Sequence, residues 1–249
     1  VHFNAQELKE YYDTPQGRIV QRLFRHHLRD FWPQMRGLRM AGFGFPLPLL
    51  KPFLQEAESV SVLMPSPLGA VFWPEDGRGR VAMTETFEWP IETNSIDRLL
   101  VIHPAIGSED MPDFLAEAWR VLKGQGRLLM VMPNRTGIWA RSDQTPFGHG
   151  EPFSAQQLRH ALKRDLFVPE KVTRALFLPP TQSRLLLATA PLWERAGQKL
   201  LNAFGGVVMV DASKQLYAGT PVLAQEGQRM RRRRVQAVVR PLSRNSDDL

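Results

Sequence analysis

The stretch "LRMAGFGFPLPLL", residues 38–50, decides how the chain is read. A short apolar run ends in Gly42 and Gly44, and prolines crowd the residues after them. If the run is a strand and the glycines open a helix, this is the ligand turn of a βαβ unit, where a missing Cβ lets the backbone approach a bound group. If not, it is an ordinary loop. The neighbouring sequence supplies the context. Upstream, "RIVQRLFRHHLRDFW" (18–32) places Val20, Leu23, Phe24, Leu28, Phe31 and Trp32 near helical spacing with Arg18, Arg22, Arg25 and Arg29 on other faces, an amphipathic helix ended by Pro33. Downstream, "PLLKPFLQEA" is a compact helical segment broken by Pro52, and "SVSVLM" (59–64) is a strand rich in β-branched residues. Strand, turn, helix and strand make one unit of about thirty residues, which is the setting the glycine turn requires.

The alternation continues. "GRVAMTE" (79–85) predicts a third strand, and the apolar run 99–102 suits a central parallel strand buried on both faces. "EDMPDFLAEAWRVLK" follows as a helix, with Phe114, Leu115, Ala118, Val121 and Leu122 on one side and Glu109, Asp110 and Asp113 near its positive N-terminal end. "GQGRLLMVMPN" is a glycine-punctuated turn and a fifth strand. A helix at "SAQQLRHALKRD", an extended "VTRALFLP", one long helix around "RLLLATAPLWERAGQKLL" and a terminal strand "GGVVMVDASK" complete the series. The expected fold is α/β, a doubly wound, Rossmann-like and mostly parallel sheet with an antiparallel edge strand. The expected organisation is an N-terminal helical segment (1–35), an α/β domain (36–220) and a basic tail (221–249).

Composition narrows the function classes. With 249 residues, 43% of them hydrophobic, the chain can bury one sizeable core. It has no apolar run of membrane-spanning length, and "VHFNAQELKEYYD" lacks the order of a signal peptide, so the expectation is a soluble, cytoplasmic protein. The absence of cysteine removes disulfides, thiol nucleophiles and Cys-based metal sites. Of six histidines only His26 and His27 adjoin, and adjacent residues on a helix point to different sides, so no metal site is expected. The net charge of +7 owes five units to "RMRRRR" (229–234). A solvated basic segment is favoured there over a nucleic-acid or anionic-surface contact through Arg229 to Arg234, since no aromatic residue is interleaved to stack on bases.

The order of elements, "AGFGFP" after the first strand, "EWPIETNSIDRLL" before the fourth and "EAWRVLKGQGRLLMVMPN" into the fifth resemble the class I S-adenosylmethionine-dependent methyltransferases over roughly residues 36–215. "NRTGIWARSDQTPFGHGEPFS" and "DASKQLYA" resemble, more narrowly, a bacterial subgroup of methyltransferase-domain proteins. The resemblance implies S-adenosylmethionine as cofactor and assigns roles. Gly42 and Gly44 would border its methionine and ribose parts, Met64 would stand where an acid grips the ribose hydroxyls, Glu85 would accept from the adenine amino group, and His103 would lie beside the cleft. A plain strand-to-helix turn, a surface glutamate and a core-edge histidine are the structural alternatives. The chain departs from the family pattern at Met40, Pro46 and Met64, each more apolar or rigid than the usual residue.

The loop 134–153 leaves the carboxyl edge, where doubly wound sheets bind ligands. Its Arg135 and Arg141 suit an anionic group and His149 a proton acceptor, in a substrate wall that joins Asn134, Trp139 and Asp143. The alternative is a connection whose polar residues tie down their own backbone. Ser154 with Gln157 reads as a capping box. Methyl transfer from an activated sulfonium is mostly in-line positioning, so no triad or metal set is required and no catalytic residue is assigned. Two readings remain: a methyltransferase of unknown acceptor, or a silent methyltransferase-like domain that binds a protein or RNA. A nicotinamide dehydrogenase is weaker, since Leu47 stands at the third glycine position and Met64 ends the second strand.

Overall fold

In the computed structural model, which describes residues 3–215, the stretch 38–50 is a strand followed by a short helix. The strand, β1 (Arg39–Gly44), pairs in parallel with β2 (Ser59–Pro65) on one side and β4 (Ile96–Ile102) on the other. β3 (Val81–Thr84) lies outside β2, and β5 (Leu122–Pro133) lies outside β4. The chain then forms β6 (Phe167–Ala175) and β7 (Val207–Lys214), with β7 antiparallel to both neighbours, so that the sheet runs β3-β2-β1-β4-β5-β7-β6. The topology reverses between β1 and β4, which makes their carboxyl ends the switch point of the sheet.

Both faces of the central strands are covered, which is why they read as continuous apolar runs. One face of the sheet, with Met40, Leu100, Ile102 and Leu129, packs on α1 (Ala5–Asp13), α2 (Pro15–Phe31) and α3 (Leu47–Leu50). The other, with Ala41, Phe43, Leu99 and Val101, packs on α4 (Met111–Val121) and α5 (Ala155–Arg164). The N-terminal helices therefore share the core of the sheet. α1 starts on a capping box of Asn4 and Glu7, and α5 on the expected box of Ser154 and Gln157. Among the described residues no helix is long and apolar enough to cross a membrane. The basic tail and Arg229 to Arg234 lie outside the described residues.

Three elements differ from expectation. The long helix around residues 184–201 is two helices, α6 (Arg184–Ala188) and α7 (Ala190–Leu200), because Pro191 sits in the first turn of a new helix and has no N–H to continue the old one. The glycine-punctuated turn after α4 is instead extended, since Leu122 pairs with Ile96 before the register shifts to Arg127 opposite Arg98. The helical segment after β1, broken at Pro52 as expected, is shorter than residues 48–57: it is Leu47–Leu50 followed by a single 3-10 turn, Lys51–Phe53.

Candidate active site

At the switch point the ends of β1 and β4 touch. The Phe45 N–H donates to the Ile102 carbonyl at 2.8 Å, and Gly44 has φ +88°. A Cβ on Gly44 would stand 2.2 Å from that carbonyl oxygen and 2.7 Å from the His103 oxygen. The glycine is thus demanded by the neighbouring strand end. At Gly42 a Cβ would meet Pro46 at 2.4 Å and Leu50 at 2.8 Å, so this residue lets α3 fold back on β1. Met64 is fully buried in the core with Val62 and Phe53.

α1 roofs this junction. The Tyr12 ring stacks parallel on Phe45, 6.1 Å between centroids, and its hydroxyl lies 2.9 Å from Nε2 of His103. Burial raises the Tyr12 phenol well above its ordinary pKa, so it stays protonated and donates. Burial pushes the His103 imidazole down to about 3, so it stays neutral and accepts at Nε2. That bond leaves the ring proton on Nδ1. The segment that carries His103 is strained: His103 has φ +48° and Ala105 φ +52°, a conformation that costs non-glycine residues free energy and recurs at functional sites.

Two cavities flank the Tyr12–His103 bond. The first, of about 230 Å³, lies at the ends of β4 and β5 and is walled by His103, Ala105, Ile106, Met132, His149 and Glu151, with Leu8 and Leu68 above and beside them. Glu151 Oε2 accepts the Ser108 N–H at 2.6 Å, which ties the loop after β4 to the loop after β5. His149 Nε2 donates to the Asp143 carbonyl at 2.8 Å, and its ring meets Phe3 edge-on. The second cavity is a groove of about 830 Å³ over the residues after β1, lined by Tyr12, Phe45, Lys51, Trp73, Glu75 and Asp76 among others. Lys9 bridges to Glu75 across it at 2.6 Å.

Of the residues singled out in the sequence, His103 and His149 meet at the smaller cavity. Gly42, Gly44 and Met64 line neither cavity. Glu85 is exposed past the end of β3, lines neither cavity, and accepts from the Ser66 hydroxyl at 3.1 Å, which joins the ends of β2 and β3. Arg135 and Arg141 are exposed and line neither. Asn134 is buried and donates to the Ala203 and Gly205 carbonyls, and the Trp139 indole donates to the Leu178 carbonyl at 2.7 Å, so these two fasten backbone. Tyr12, Glu151 and the groove residues Trp73, Glu75 and Asp76 were not singled out by sequence. Their partners are distant in the chain, and only Tyr12, beside Tyr11 in "EYYDTP", carried a local signal in its aromatic pairing. Among the described residues no group of three or more metal-binding side chains exists.

The fold is one known from solved structures. A methyltransferase from Thermotoga maritima, described as S-adenosylmethionine-dependent and a possible histamine N-methyltransferase, is 17% identical with a TM-score of 0.55, over 84% of this chain and 95% of its own. Geranyl diphosphate C-methyltransferase from Streptomyces coelicolor, solved with Mg2+, geranyl diphosphate and S-adenosylhomocysteine, is 14% identical with a TM-score of 0.52, over 77% of this chain and 78% of its own. The cyclase SpnF is 14% identical with a TM-score of 0.50, over 87% of this chain and 98% of its own. No family model matches the chain, and no curated protein matches it in sequence. The fold is therefore that of the S-adenosylmethionine-dependent methyltransferases, and SpnF is a reminder that the fold alone does not fix the reaction.

Proposed function

We propose that this protein is an S-adenosylmethionine-dependent methyltransferase that takes its cofactor in the groove over Phe45 and a small, largely apolar acceptor in the cavity behind His103. The observation that carries the reading is the pair of cavities on either side of one hydrogen bond at the switch point. The donor set of the groove fits the cofactor. Lys9 and Lys51 suit its carboxylate, Glu75 and Asp76 its hydroxyls or ammonium, and Phe72, 64% exposed, offers aromatic surface to a purine. Its volume of about 830 Å³ falls within the range of ligand pockets, about 300–1,000 Å³. This placement differs from the one implied by the strand-end residues, since Gly42, Gly44, Met64 and Glu85 are not needed for it.

When bound, S-adenosylmethionine supplies a methyl group already activated on sulfonium. The chain then has to position, dry and, for a protonated acceptor, deprotonate. Ile106, Met132 and Leu68 exclude water from the acceptor, Glu151 sets a negative charge at one wall, and His149 takes up the proton. Tyr12 and His103 stand between the two spaces, so rotation of Tyr12 off His103 is the movement that joins them.

Calorimetry of the full chain with S-adenosylhomocysteine tests this. A dissociation constant of roughly 10–500 µM is expected, weak because Lys9 and Glu75 already satisfy each other across the groove. Phe72→Ala and Lys51→Ala should each weaken it by about tenfold, the loss of about 1.4 kcal/mol. No heat and no thermal shift at saturating ligand would leave the silent-domain reading in its place.

A further inference from the structure

The described residues present twelve large hydrophobic side chains to solvent, and seven of them fall between residues 185 and 204. α7 is the centre of this patch, and it is packed the wrong way round for a helix in water. Its inward stripe is Ala190, Glu194 and Gly197. Glu194 is buried, pairs with His27 at 3.1 Å and accepts the N–H groups of Leu176 and Phe177, each at 3.2 Å. A Cβ on Gly197 would stand 2.1 Å from the Phe177 ring, so the helix is pressed down along this stripe. The outward side carries Leu192, Trp193, Ala196 and Leu200, whose spacing puts them on one face. Leu192 is 63% exposed and Leu200 81%. Leu185, 83% exposed, precedes the helix, and Phe204, 57% exposed, follows it.

The charges of the segment point to what covers this face. Arg184, Arg195 and Lys199 are exposed, whereas Glu194, the single acid in residues 182–206, is turned inward. On the helical wheel Arg195 and Lys199 border the Leu192 side of the apolar stripe. An apolar face bordered by cations, with a tryptophan in it and no exposed acid, is the pattern of a helix that lies in the plane of a lipid interface. A protein partner would require acids matched to three particular positions, while an anionic headgroup layer requires none.

We propose that the outward face of α7 docks on the surface of an anionic lipid bilayer, with Leu192, Trp193 and Leu200 in the acyl boundary and Arg195 and Lys199 among the headgroups. This does not depend on the methyl-transfer reading.

Co-sedimentation of the full chain with vesicles of phosphatidylcholine alone, or with about a third of phosphatidylglycerol, tests the proposal. The wild type should bind the anionic vesicles and not the neutral ones. Leu192→Gln with Leu200→Gln leaves every charge of the chain in place, and should reduce binding at least about tenfold with an unchanged melting temperature, because both side chains are exposed. Arg195→Gln and Lys199→Gln should each weaken it by about fivefold and flatten its salt dependence. Trp193 fluorescence should shift to the blue on anionic vesicles, and the shift should vanish in Trp193→Phe. Three results would overturn the proposal: equal binding of the wild type and the double leucine variant, which moves the contact to other basic residues; equal binding to neutral and anionic vesicles; or a dimer in sedimentation velocity that the leucine variant dissociates, which makes a second copy the occupant.

Discussion

The turns after β1 and β4 leave the sheet side by side, yet the glycines of the first are closed in by protein while the left-handed residues of the second border a cavity. A Cβ on Gly44 would meet the β4 backbone, and one on Gly42 would meet Pro46 and Leu50. After β4 the left-handed positions belong to His103 and Ala105, which accept the strain, and both residues line a cavity. Glycine marks the place where protein meets protein. The strained residues with full side chains mark the place where there is room for something else.

That contrast can be broken most forcefully at Gly44. Gly44→Ala places a methyl against two backbone carbonyls at a positive φ, and should cost about 3–5 kcal/mol in urea unfolding, the combined cost of left-handed strain and overpacking. A loss under about 1 kcal/mol would mean that the turn is loose and the comparison mistaken.

A pH series sharpens the other side. His103 is neutral in the fold with a pKa of about 3, against about 6.5 for a free imidazole. The unfolded chain therefore binds the extra proton, and the stability that His103 contributes is fully present above about pH 6.5 and lost as pH falls toward 3. The slope is at most about 1.4 kcal/mol per pH unit. The urea midpoint of the wild type should exceed that of His103→Gln by a margin that narrows from about pH 7 to about pH 4. A constant margin would place His103 in contact with bulk water.

The smallest effect belongs to the bond between the turns and their roof. Tyr12→Phe keeps the stack on Phe45 and removes the hydroxyl that donates to His103, for a loss of about 1 kcal/mol. The same variant should bind S-adenosylhomocysteine at least as well as the wild type, because the groove is widened rather than stripped. Lost binding would make the Tyr12 hydroxyl a ligand contact.

Most of the fold was legible because its signals are local. The continuous apolar runs of β1, β4 and β5, buried on both faces, and the period-3.6 pattern of the helices are written within each segment, and the capping box at Ser154 occupies four residues. The break at Pro191 is equally local, but the leucines on both sides of it keep helical spacing across it, and Leu185, Leu192 and Leu200 are exposed. The site was far less legible. Gly42 and Gly44 signal close approach, and no sequence says whether the approaching group is a cofactor or the carbonyl of Ile102. His103 and His149 were found because they stand beyond strand ends, whereas Tyr12 reaches His103 across 91 residues and Glu151 reaches Ser108 across 43. Hydrogen bonds of that span have no periodicity to betray them.

β7 is the last strand of the described chain, yet it sits between β5 and β6 and supplies hydrogen bonds to both. During synthesis from the N-terminus, β5 must therefore wait with its outer edge open, and β6 with no partner, until residues 207–214 emerge from the ribosome. An open edge on an apolar strand is a template for pairing with another chain. The order in which the ribosome delivers this sequence leaves its middle open to pairing with other chains, and a messenger cut short before Val207 would yield a product for chaperones and proteases rather than a smaller version of the same fold.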